Sequence, residues 1–103
     1  MIGYAFHPEA RTDLDDVWEA IAYESVDAAD RVIRKILTSI NRLASFPHQG
    51  HRRTDLTTRP LRFIRVYDYL IAYAPDQKPL WVVAVFHGRR SPRVIAAILR
   101  GRE

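Results

Sequence analysis

Cysteine is missing from all 103 residues. Its absence removes disulfides, thiol nucleophiles, thiol redox chemistry and cysteine-ligated zinc, and agrees with a small intracellular protein. Lysine is nearly missing too: of 16 basic residues only Lys35 and Lys78 are lysine, and the other 14 are arginine. The basic chemistry therefore rests on forked, permanently charged groups that suit carboxylate or phosphate recognition better than proton transfer. No apolar run approaches the ~20 residues of a membrane span, so no membrane partner is expected. The opening MIGYAFHPEA lacks the basic-then-apolar build of a signal peptide, and a cytoplasmic location is expected.

What is present fits one domain, residues 1–103, with 48% hydrophobic residues and enough chain for a single core of modest size. The charge is lopsided. Residues 1–50 hold 5 Lys+Arg against 8 Asp+Glu (net −3), and residues 51–103 hold 11 against 4 (net +7). The basic half points to a polyanion or an acidic protein segment as partner, or else is a solvated face.

The clearest element is the run WVVAVFH, residues 81–87, bounded by Pro79 and Gly88. Lacking polar alternation, it reads as a central strand buried on both faces. His87, Arg89 and Arg90 follow at its exit, and Ser91-Pro92 reads as the cap and first residue of a short helix. That helix carries Val94, Ile95, Ile98 and Leu99 on one face and runs to Gly101.

Upstream, residues 2–6 read as a short strand stopped by Pro8. Ala10, Leu14, Val17, Trp18 and Ile21 then recur at helical spacing, with Trp18 assigned to the core. Asp13, Asp15 and Asp16 have no histidine at ligating spacing and read as a solvated face. A second helix starts near Ser25 or Asp27 and ends before Pro47, with Ala29, Ile33, Ile36, Ile40 and Leu43 on its apolar stripe. The short connection makes the two helices an antiparallel hairpin, and its apolar face needs a sheet to cover.

Residues 46–60 form a long loop holding His48, His51, Arg52 and Arg53. The two histidines have no acidic or cysteine neighbour in sequence, so no metal or other cofactor is expected, and the arginine pair reads as a contact surface. LRFIRV, residues 61–66, is a strand with Arg62 and Arg65 on opposite faces. Residues 69–74 form the next, on which Tyr69 and Tyr73 share a face and read as core and rim rather than as stacking platforms. The fold class is α+β in the order β-α-α-β-β-β-α, the last three strands forming an antiparallel meander.

Four pieces in this order carry a family resemblance: Phe46-Pro47-x-x-Gly50 after the second helix, Arg62, Tyr69-x-Ile71-x-Tyr73, and Val85-x-His87-x-Arg89-Arg90. Together with the element order they resemble the RelE/ParE superfamily of bacterial toxins, and the HGRR exit favours the ParE branch. Where ParE sequences commonly carry an acid after that arginine, this chain has Ser91-Pro92. The resemblance implies the toxin of a type II toxin-antitoxin pair, held in a hetero-oligomer by a ParD-like antitoxin with an acidic C-terminal segment. ParE-like members are associated with poisoning DNA gyrase, and RelE-like members with cutting mRNA on the ribosome.

Three readings stay open. The first is a non-enzymatic gyrase inhibitor whose target or antitoxin surface comprises Arg52, Arg53, Arg62, Arg65, His87, Arg89 and Arg90. The second is a ribonuclease, with His87 moving protons and Arg62 and Arg89 on the phosphate. The third is a degenerate toxin or a small basic adaptor. RNA cleavage needs proton transfer as well as cations. No tyrosine lies beyond Tyr73 and residues 52–65 carry no lysine, which leaves His87 as the sole titratable candidate in that cluster. His87 at a strand end either serves such a site or hydrogen-bonds the backbone.

Overall fold

The computed structural model describes residues 3–102. Its elements are β1 (Tyr4–Phe6), α1 (Pro8–Ala22), α2 (Val26–Ser45), β2 (Arg62–Val66), β3 (Tyr69–Ala74), β4 (Leu80–His87) and α3 (Pro92–Arg100). This is the expected order; Ile2, assigned to the first strand from sequence, lies outside the described residues. The sheet order is β1-β4-β3-β2, with β1 parallel to β4 and the other pairs antiparallel.

One residue makes the handover from β1 to α1. The His7 N–H donates to Val82 O at 2.8 Å as the last sheet bond, and its Nδ1 accepts from Glu9 N at 3.0 Å as the helix cap. Pro8 then occupies a first-turn position where its missing N–H costs nothing. Ser25 caps α2 by accepting from Ala28 N at 3.1 Å. Trp18, expected in the core, is half-buried instead. Its indole N–H reaches across to Asp30 Oδ1 at 2.8 Å and ties α1 to α2.

β4 is apolar throughout because both faces of the sheet are covered. On one face the hairpin brings Ala10, Val17, Ile36, Ile40 and Leu43 onto Ile71, Tyr73, Leu80, Val82 and Val85. On the other, Ile95 and Leu99 of α3 pack with Phe63, Val83, Ala84 and Phe86. Val94 stays exposed and Ile98 is half-buried, so only part of the predicted α3 stripe is covered. A bulge lets both faces be served. Ala72 pairs with Ala84 but Tyr73 pairs with Val82, leaving Val83 as the extra residue. Val83 and Ala84, adjacent in sequence, thereby share the α3 face.

β1 covers β4 only from Leu80 to Val82. Beyond that, side chains take the place of a strand: Val85 N donates to Asp13 Oδ2 at 2.9 Å, and Arg102 Nη1 donates to Val83 O at 3.3 Å. The two side chains are also forked onto each other, Arg102 Nη2 to Asp13 Oδ1 at 2.9 Å and Nη1 to Oδ2. The Asp13 carboxylate pushes the Arg102 pKa further up, fixing its charge. Asp13 is therefore not part of the solvated acidic face, whereas Asp15 and Asp16 are exposed as expected. Its position was readable: it lies between Ala10 and Val17 on the buried stripe, three and four residues from each.

Removing one partner of a largely buried ion pair leaves the other uncompensated, so Asp13→Ala is expected to cost about 2–4 kcal/mol in urea unfolding. Asp15→Ala, on the solvated side of the same helix, should stay within about 0.5 kcal/mol of wild type.

Candidate functional site

The predicted site residues fall into two groups at opposite ends of the sheet. Val66, Tyr69 and His87 stand in one row across β2, β3 and β4; Arg62, Tyr73 and Val82 stand in another. Four residues along β2 separate the rows, about 13 Å at ~3.3 Å per residue. Arg65, His87, Arg89 and Arg90 gather at the first end. Arg62, Arg52 and Arg53 lie at the second.

At the β4 exit the backbone turns sharply and His87 closes the turn. Its Nδ1 accepts from Arg89 N at 3.0 Å, its carbonyl accepts from Arg90 N at 3.2 Å, and its ring packs edge-on against Tyr69, with centroids 5.4 Å apart. With Nδ1 accepting, the neutral ring carries its proton on Nε2. Gly88 donates to Asp68 O at 2.8 Å, and a Cβ there would meet that oxygen at 3.2 Å, so close backbone approach sets the residue. Ser91 Oγ then accepts from Val94 N at 3.3 Å to start α3. Arg89 and Arg90 are thus held between two fixed pieces of backbone. Both are exposed, and among the described residues neither forms an ion pair. Arg90, Tyr69 and His87 border a cleft of about 170 Å³ with Asp13 and Asp16 on its far wall. Arg65 lies one row back; its Nε donates to Tyr67 O at 3.0 Å, and Nη2 stands 3.7 Å from Asp68.

The second end has other commitments. Arg62 Nη1 donates to Gly50 O at 2.8 Å and reaches His48 O at 3.4 Å. Beside it the Tyr73 hydroxyl accepts from Gly50 N at 2.9 Å and donates to Pro47 O at 2.8 Å. A Cβ on Gly50 would come within 2.5 Å of that hydroxyl. Arg62 and Tyr73 together hold the loop after α2 against the sheet, which gives the Phe46-Pro47-x-x-Gly50 motif a structural reason. Arg53 is forked onto Asp55 at 2.9 and 2.8 Å, a pairing that raises the Arg53 pKa and lowers that of Asp55. Arg52 is exposed and, among the described residues, makes no such pair. The expected long loop contributes to the sheet as well, since His51 forms a single antiparallel bridge with Phe63. His48, without an acidic neighbour in sequence, stands 3.5 Å from Asp76, and both side chains are exposed.

Of the three residues named for a ribonuclease, His87 and Arg89 stand together, while Arg62 lies about a sheet's length away and is bonded to its own loop. Sequence reasoning also missed Arg59, which reaches Leu99 O at 2.9 Å near the α3 C-terminus.

A helical hairpin over one face of a four-stranded sheet, with arginines at both rims, is the build implied for the toxin of a type II toxin-antitoxin pair. The family described as the ParE toxin of the type II toxin-antitoxin system parDE matches residues 4–92, and the chain belongs to it. Membership implies an antitoxin partner. The match stops at Pro92, leaving the rest of α3 and Arg102 outside it. No curated protein sequence matches the chain significantly. Among the described residues no helix is long and apolar enough to cross a membrane.

The Tyr73 side chain is fully buried, and burial pushes its phenol above the usual value. A group whose folded pKa is raised gives stability that is complete below its unfolded value and is lost as pH climbs past about 10. Tyr73→Phe should cost about 1–3 kcal/mol near neutral pH by orphaning Gly50 N. It should also flatten the alkaline loss of stability, which urea titrations between neutral and strongly alkaline pH would read.

Proposed function

We propose that this ParE-family protein inhibits growth by binding DNA gyrase without catalysis, through the arginine-rich end of its sheet, and that a ParD-like antitoxin with an acidic C-terminal segment neutralises it in a hetero-oligomer. The observation carrying this reading is the β4 exit. Arg89 and Arg90 are exposed on a fixed turn and form no ion pair among the described residues, while His87, the one titratable base beside them, has Nδ1 committed to that turn. Rigid presentation lowers the ordering cost of a contact. A proton relay asks for the reverse, a base free to receive and pass on a proton. Arg65 at the same end and Arg52 at the other extend the cationic surface; Arg62 and Arg53 support it from their loop contacts.

Expression without a partner is expected to cause filamentation and DNA damage before translation arrest. Arg89→Ala with Arg90→Ala should keep the melting temperature and weaken toxicity at least about tenfold, and the lysine pair should recover only part because the fork is lost. His87→Ala should cost less than about tenfold, whereas losing a catalytic proton shuttle costs ~10²–10⁴ in rate. Rapid mRNA cleavage at defined codons that disappears in His87→Ala would overturn the gyrase reading. Undiminished toxicity in the folded double-alanine variant would move the contact site to Arg65 and Arg52.

A further inference from the structure

The turn between β2 and β3 carries a residue ill-suited to its backbone. Val66 pairs with Tyr69, so Tyr67 and Asp68 alone close the hairpin. Tyr67 has φ 53°, and no other described residue has a positive φ. Glycine, asparagine and aspartate enter that left-handed region readily, whereas a bulky aromatic is strained there. Asp68, one position on, would tolerate it better. The ring gains nothing from the fold in return. Tyr67 is 54% exposed, joins neither core cluster and stacks on no other aromatic ring among the described residues.

The strained turn is held from both sides. Arg65 Nε donates to Tyr67 O at 3.0 Å, and Gly88 N donates to Asp68 O at 2.8 Å, which joins the hairpin tip to the β4 exit. A strained residue persists only where its surroundings over-determine it, and such residues cluster at contact and switch sites. The rim around this one carries both signs of charge. Arg65, Arg89 and Arg90 are exposed, and so are Asp68 and, across the small cleft from Arg90, Asp16. A nucleic acid, negative throughout, would set phosphates against Asp68 beside the ring. A protein surface can match each sign separately.

We infer that Tyr67 is the anchor of the target contact, its ring entering an apolar socket on a protein whose carboxylates, around that socket, meet Arg65, Arg89 and Arg90. The inference rests on the gyrase reading and deepens it: the gyrase protein, and not its DNA, carries the socket. A tyrosine with arginines on the same rim is the composition in which contact energy concentrates. The turn holds the ring out before the partner arrives, so little ordering remains to be done on binding.

The test separates strain from contact. Tyr67→Asn and Tyr67→Gly suit the backbone and remove the ring, so both should melt at or above the wild-type temperature. Each should nevertheless need at least about tenfold more protein to halve supercoiling by purified gyrase. Tyr67→Phe keeps the ring and should need no more than about threefold. Phe46→Asn removes an exposed ring at the other end of the sheet and should inhibit as the wild type does. Full inhibition by folded Tyr67→Asn overturns the anchor while the gyrase reading stands. Wild type that spares gyrase yet stops growth, with the arrest relieved in Tyr67→Asn, keeps the tip as the contact and removes gyrase as its partner. Melting of both ring-free variants well below wild type shows that the ring serves the fold, and overturns the inference. A labelled DNA duplex bound by wild type and released by Tyr67→Asn, with binding to DNA-free gyrase unchanged, overturns it as well.

Discussion

Burying β4 on both faces while leaving half of one of its edges without a neighbour is the constraint on which the molecule depends. β1 has only three residues and stops pairing at Val82, because Pro8 must begin α1. The peptide groups beyond it would be left unpaired against α1, at a cost comparable to losing each hydrogen bond. Asp13 and Arg102 answer that need from opposite ends of the chain, 89 residues apart, and in doing so fasten α1, β4 and the chain beyond α3 together. The bulge at Val83 belongs to the same solution, since it brings Val83 and Ala84 under α3 and keeps Val82 and Val85 under the hairpin.

A strand fixed in this way makes a rigid platform of its exit. The His87 turn, the Gly88 contact to Asp68 and the Ser91 cap leave Arg89 and Arg90 little backbone freedom. At the other end of the sheet, Arg62 and Tyr73 hold the loop after α2. That loop positions His51 on the β2 edge, where it decides which ladder groups stay open. The arginines thus differ in what they hold. Arg62, Arg59 and Arg102 bind backbone or the part-buried Asp13, Arg53 is paired locally, and Arg52, Arg65, Arg89 and Arg90 are exposed.

Periodicity and punctuation carried most of the fold. The α2 stripe, the Ser25 and Ser91 caps, the apolar run of β4 and the stop at Pro47 are local signals, and each corresponds to an element or boundary in the structure. Partnerships across the chain were not local. Residue type groups Asp13 with Asp15 and Asp16, although its helical phase places it on the buried stripe; nothing near it in sequence names Arg102. The bond from Arg62 to the Gly50 carbonyl, 12 residues earlier, has no sequence signal, because nothing local couples a strand arginine to a loop carbonyl. His87 left two roles open, and its bond to Arg89 N is visible only once the turn is built.

Contact, not chemistry, at the β4 exit is the central claim. The most direct measurement is gyrase supercoiling of relaxed plasmid by purified enzyme, with the purified protein added alone or with its antitoxin. A contact inhibitor predicts lost supercoiling and accumulated cleaved DNA that the antitoxin reverses. Unaltered supercoiling by a folded protein that stops growth and cuts ribosome-bound mRNA would contradict it.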